Sequence, residues 1–283
     1  MARRVVAVAL LAAMLLGLAG AAGWLLSGGR WVRVETPSMG TRAPVGSLVW
    51  IRPAEVSHLR PGDLVTFHAP VAGHPTYTHA VDSVTSDGRL RTRGQLSGPD
   101  GWTIGRRDLV GRATAVWPWA GWLVLMLPML VVGGLVVAGL ARHVPRRHRQ
   151  AFVVVGATLV VSTVLLVHRP LTRADELSFH VQDHRGVAVW VNTGILPLQL
   201  SSADGRRTRT MTNGHVATVE VQDRSDGRSD GRFVVHVRPD LPWWWWLAVV
   251  LPCLLPATIE TLRRRPGPGD RTATNALPAT TSG

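Results

Sequence analysis

The chain has 283 residues, 46% of them hydrophobic, and a formal net charge of +13 carried by arginine alone, because no lysine is present. That length allows more than one domain, and the single cysteine, Cys253, excludes an intramolecular disulfide. The strong basicity does not indicate nucleic acid: the arginines gather beside apolar runs, at Arg3–Arg4, Arg142–Arg149 and Arg263–Arg265, where a membrane protein keeps its cytoplasmic positive charge.

The first apolar run, Val5–Leu26, makes residues 1–27 a membrane anchor helix. Small residues in "LAGAAG" would suit a cleavage site, but the run exceeds the 7–15 residues usual for the apolar part of a signal peptide. It is read as uncleaved. Residues 28–116 follow as a β domain. "GSLVWIR", "GDLVTFHA", "THAVDSV", "RLRTRG" and "DLVGRATAVW" are short, alternating or β-branched stretches, separated by Pro-Gly, Asp-Gly and Gly-Pro turns. "SDGR" at Ser86 is predicted to be a hairpin turn.

Ahead of the first of these strands lies a Ser-Met pair, Ser38-Met39, between a proline and a glycine. A serine hydroxyl needs a base to become a nucleophile at neutral pH. This domain has no lysine or cysteine, and arginine stays protonated. His58, His68, His74 and His79 are the available bases. His79 lies inside an alternating strand that would hold its ring rigidly.

Residues 117–141 and 151–168 are predicted membrane helices, joined by a cytoplasmic loop at 142–150 that has arginines and no acid. Residues 169–242 read as a second β domain, sandwich-like and without a catalytic constellation, from "ELSFHVQ", "GVAVWVN", "HVATVEVQ" and "RFVVHV". Residues 243–262 form a fourth predicted span, and 263–283 a Pro-, Gly- and Thr-rich tail without predicted structure. The tryptophans of "WPWAGW" and "PWWWW" fall where helices enter from the outer face, the interface that indoles prefer. The expected topology puts both β domains outside and the N-terminus, the arginine loop and the tail inside.

Five patches in order resemble signal peptidase I, in the branch of archaea, the endoplasmic reticulum and some Gram-positive bacteria. "PSMGTRAPVGSLV" is similar to its nucleophile box and "PGDLVTF" to the next strand. "THAVDSV" is similar to the box that supplies histidine in place of the bacterial lysine. "TRGQLSGPDGWTI" resembles the acidic box and "DLVGRA" the closing strand. The likeness runs from Val5 to about Trp117. It implies a mainly β signal-peptidase-like catalytic fold, Ser38 as nucleophile, His79 as general base and Asp100 as the acid behind it. The Ser38 N–H and the Thr36 hydroxyl would form the oxyanion hole, and Met39 the floor for small substrate side chains. Neither metal nor other cofactor is implied.

The departures are Gly40-Thr41 after Ser-Met, Ala80 after the histidine, and Gln95 where the family has aspartate. Asp82 is a spare acid. The implied activity is cleavage of signal peptides from exported preproteins at the outer face of the cytoplasmic membrane, by an enzyme in contact with the bilayer and not with nucleic acid. The alternative is a catalytically inactive member of the fold acting as a membrane scaffold or export partner. A purely structural surface protein is a third reading. Nothing in the sequence sets an oligomeric state.

Overall fold

Period-two alternation builds the first domain. In the strand Leu90–Gly94 the buried positions are Leu90, Thr92 and Gly94, while Arg91 and Arg93 face solvent. The computed structural model describes residues 2–182, 185–202, 208–222 and 235–243. Helix α1 (Ala2–Leu26) leads into β1 (Arg30–Arg33). Then follow β2 (Leu48–Arg52), β3 (Leu64–His68), β4 (Thr76–Val84), β5 (Leu90–Gly94), β6 (Gly98–Ile104) and β7 (Leu109–Trp117). They form one antiparallel sheet in the order β1-β2-β7-β3-β4-β5-β6. One cluster, Val65, Phe67, Val81, Leu90 and Ile104, packs with Leu59 and Ala69. A second gathers Val34, Met39, Ala43, Val49, Ile51 and Ala80. The Ser86 turn joins β4 to β5 as predicted, with Gly88 at φ +75°.

Two strands differ from the sequence expectation. β1 was not anticipated, and β6 contains the "GPDG" that reads as a turn. β6 is an edge strand, where a proline removes no ladder hydrogen bond; Pro99 and Gly98 lie opposite Arg93 and Gly94 of β5.

After β7 come α2 (Ala120–Ala141) and α3 (Arg146–His168). Trp117, expected to open the second membrane helix, ends β7 instead, opposite Leu48. The turn between has Trp119 at φ +64°. Trp122, expected at the membrane interface, is packed inside the protein, 3% exposed. It covers Gly46, where a Cβ would lie 1.9 Å from the indole Nε1. The arginine loop is shorter than expected, because residues 146–150 are already helical behind Pro145, whose carbonyl accepts the amides of His148 and Arg149.

Residues 1–131 and 163–240 form one compact unit, and residues 132–162 belong to a second. Within the second, α2 and α3 meet at glycines. A Cβ on Gly133 would lie 2.5 Å from Val160, and one on Gly156 2.8 Å from Val137, the small-residue contact of membrane helices.

The second β domain has two three-stranded sheets, β11-β10-β13 and β12-β9-β8. The strands are β8 (Ala174–Gln182), β9 (Arg185–Asn192), β10 (Leu198–Ser202), β11 (Thr208–Met211), β12 (Val216–Gln222) and β13 (Val235–Pro239). β10 and β11 had no sequence counterpart. Their shared core is Leu198, Leu200, Met211, Ala217 and Val219.

The protein is therefore mainly β with three helices among the described residues. Two of them, α2 and α3, are long and apolar enough to cross a membrane, in place of the four expected. In α1 the apolar stretch is Met14–Leu26, and the fourth predicted span lies, beyond Trp243, outside the described residues, as does the tail.

Candidate active site

Proline and glycine shape the turn that carries Ser38. Pro37, with its fixed φ, opens a single 3₁₀ turn, Pro37–Met39. Gly40 closes it at φ 49°, ψ −126°, a backbone state suited to glycine, and its amide donates to the Pro37 carbonyl at 2.8 Å. Met39, 1% exposed, roots the turn in the core beside Val34 and Ala80. From the other side the Leu96 amide donates to the Ser38 carbonyl at 2.8 Å.

β4 delivers His79, 3% exposed, opposite Val65 of β3. The imidazole lies between rings: its centroid is 5.5 Å from Tyr77 and 6.0 Å, edge-on, from Phe67. Its Nε2 is 3.0 Å from Ser38 Oγ, and its Nδ1 is 2.8 Å from Asp100 Oδ2. Asp100, with 7% of its side chain exposed, projects from β6. The same Oδ2 accepts a hydrogen bond from the Thr92 hydroxyl at 2.5 Å. A carboxylate only accepts hydrogen bonds, so Nδ1 carries the imidazole proton. Nε2 is then left to accept from the serine hydroxyl. The three groups expected from separate patches thus form one continuous hydrogen-bonded chain.

Thr36 Oγ1 is 3.4 Å from Ser38 Oγ, so the two hydroxyls stand side by side. The remaining histidines do not join the site. His68 Nδ1 pairs with the Thr76 hydroxyl at 3.1 Å, and His58 and His74 are exposed. Asp82, the spare acid, faces outward and pairs with Arg93 at 3.6 Å.

The substituted positions have different work. Gln95 does not approach His79. Its Oε1 accepts the Arg42 amide at 3.4 Å and its Nε2 donates to Thr41 Oγ1 at 3.5 Å, so it ties down the chain after Ser38. Ala80 lies in the cluster that holds Met39. Thr92 was missed in the sequence. Its signal was position: a hydroxyl at the inward phase of β5, between buried Leu90 and Gly94, must find a buried partner.

Over Thr76–His79, β4 pairs with β3 only, since its pairing with β5 starts at Ala80. A backbone edge is thus left open next to the histidine. A cavity of about 660 Å³ elsewhere, lined by His168, Arg169, Arg173 and Leu198, contains no member of the Ser-His-Asp chain. Among the described residues no group of three or more His, Cys, Asp or Glu could hold a metal ion.

No family model matches the chain, and no curated protein matches its sequence.

Proposed function

We propose that the protein is a membrane-bound serine endopeptidase of the signal peptidase I type, cutting signal peptides from exported preproteins at the outer face of the cytoplasmic membrane. The observation that carries this reading is the chain Ser38 Oγ–His79–Asp100, at 3.0 and 2.8 Å, with both partners of the serine buried. Triads are recognised by such geometry and roles rather than by sequence position.

Ser38 Oγ attacks the scissile carbonyl carbon while its proton passes to His79 Nε2. Asp100 holds the ring by Nδ1 and stabilises the imidazolium that forms. The carbonyl oxygen becomes an oxyanion, met by the Ser38 N–H and the Thr36 hydroxyl. As the C–N bond breaks, His79 returns the proton to the leaving amine. Water, deprotonated by His79, then attacks the ester and releases the new C-terminus together with free Ser38. The substrate strand adds to the open edge of β4 at Thr76–Thr78, and Met39 floors the pocket for small side chains.

The finer topology belongs to the same proposal: four spans, both β domains outside, and the arginine loop and tail in the cytoplasm. The inactive-scaffold reading rests on Thr41, Ala80 and Gln95. None of the three supplies an atom to the Ser-His-Asp chain, so the active reading is preferred.

The test is cleavage of an exported preprotein by the purified protein in detergent. Cutting is expected, and Ser38→Ala should lower the rate by on the order of 10⁶. A folded parent protein that leaves the preprotein intact would return the assignment to the scaffold.

A further inference from the structure

The turn between β11 and β12 reaches the nucleophile loop. Gly214, at φ +79°, is buried at its tip. A Cβ placed there would lie 2.5 Å from the carbonyl oxygen of Gly40 and 2.9 Å from the amide nitrogen of Thr41. Gly40 is buried as well, so backbone meets backbone with no side chain between. Both glycines belong to the same compact unit.

The tip is stiff for a visible reason. Asn192, 0% exposed, donates from Nδ2 to the carbonyls of Leu196 and Met211, and its Oδ1 accepts the Gly194 amide. Its backbone carbonyl accepts the Gly214 amide at 2.7 Å. Thr212 Oγ1 and His215 Nδ1 close the turn at 2.6 Å. Asn192 is buried with every side-chain polar atom bonded, which holds the backbone it ties together in place.

On the catalytic side, Gly40 is held at φ 49°, ψ −126°, a state that glycine adopts and residues with a Cβ avoid. Leu96 restrains Ser38 from one side, Gln95 restrains Thr41 and Arg42 from another, and Gly214 closes the third.

We propose that the second β domain is a positioning part of the active site, in which Gly214 wedges the Gly40–Thr41 peptide and thereby aims the Ser38 N–H at the oxyanion. This rests on the peptidase reading. It gives the domain at 174–240 a role without a catalytic group of its own, and it makes the nucleophile loop sensitive to whatever that domain binds.

The experiment compares the parent protein, Gly214→Ala and Gly88→Ala. Gly88 also has a positive φ, +75°, but faces open space, so it carries the same backbone strain without the contact. A serine-reactive fluorophosphonate counts folded sites, and preprotein cleavage is then expressed per labelled site. Gly214→Ala is expected to lose on the order of 10² in kcat, the scale of a small misplacement of reacting groups. KM and the pH midpoint should stay unchanged, and Gly88→Ala should match the parent.

A Gly214→Ala protein that merely unfolds would lose labelled sites, not rate per site. In that event Thr212→Ala/His215→Ala, which loosens the tip without adding a Cβ, is followed by amide hydrogen exchange. Faster exchange at Gly40–Arg42 is expected. If the parent neither labels nor cuts, the peptidase reading fails, while the exchange experiment still decides the contact. Parent-like kcat in Gly214→Ala, or unchanged exchange at Gly40–Arg42 in the loosened turn, overturns the proposal.

Discussion

At the scale of single residues, the proposed chemistry turns on one proton and its route. His79 accepts that proton only as neutral imidazole, because imidazolium has no free lone pair. Removing the ring in His79→Ala should therefore abolish nearly all cleavage in a steady-state assay. Full activity in His79→Ala would remove His79 as the base. Asp100→Asn should cost on the order of 10⁴ in kcat through loss of the correct tautomer. Thr92→Val keeps the shape but removes the second hydrogen bond to the carboxylate. A hydrogen bond to a charged group contributes ~1.5–3 kcal/mol, so a loss of about ten- to a hundredfold is expected from steady-state kinetics. Gln95→Asp should change little, since Gln95 bonds to Thr41 and Arg42 and not to His79. Ser38, His79 and Asp100 were singled out together because their order along the chain resembles a series of boxes, and the structure brings the three within hydrogen-bond distance. Thr92 was not, because a threonine in a strand has the same local pattern whether its hydroxyl is idle or pinned to a carboxylate 8 residues on.

At the scale of elements, alternation was readable and punctuation was ambiguous. β2, β3, β4, β5 and β7 followed from short alternating or β-branched stretches, whereas "GPDG" looked like a turn and became β6. The deciding factor is sheet position, which local sequence does not encode: only on an edge does a strand tolerate that proline. The start of α2 was misplaced for a similar reason. An apolar tryptophan suits a strand end, a core and a membrane helix equally, and pairing with Leu48 took Trp117 for the sheet. The join between sheet and helix depends on Gly46, at φ +85° and beneath the Trp122 indole. Gly46→Ala should destabilise by about 1–3 kcal/mol through overpacking and strain. Gly62→Ala, at φ +91° in open space, supplies the strain alone. Thermal unfolding of the two in detergent separates them, and equal melting temperatures would mean that Trp122 yields freely.

At the scale of the whole molecule, composition spoke most clearly. Arginine without lysine, placed beside apolar runs, forecast a membrane protein, and α2 and α3 have the length and apolarity for it. Reporter fusions at Gly88 and Gly227 should both report the outer side; a cytoplasmic signal from either would break the proposed topology. The second β domain was readable as β but not as a neighbour of Ser38. A glycine in a turn carries no mark of what it touches, and Gly214 contacts a residue far from it in sequence.

One feature of the first domain limits how it can be handled. Trp24, on α1, lies 5.0 Å from Trp50 of β2, which in turn meets Trp31 at 6.2 Å and Trp117 at 6.1 Å. Arg52 stacks over Trp24 at 4.8 Å. The end of the helix is thus a wall of the sheet, and α1 is not a removable handle. A version of the sheet trimmed to residues 30–117, without any of the three helices, would unroof Trp50, leaving an oily scar where an indole had covered it; each large ring buries about 150–250 Å². Such a trimmed chain should self-associate in sedimentation runs, and Trp50→Thr in the same background should restore a single slow-moving species. Anyone wishing to crystallise the sheet alone should therefore keep Trp24 or replace Trp50, since the shortest soluble fragment and the shortest stable one differ by the last turn of α1.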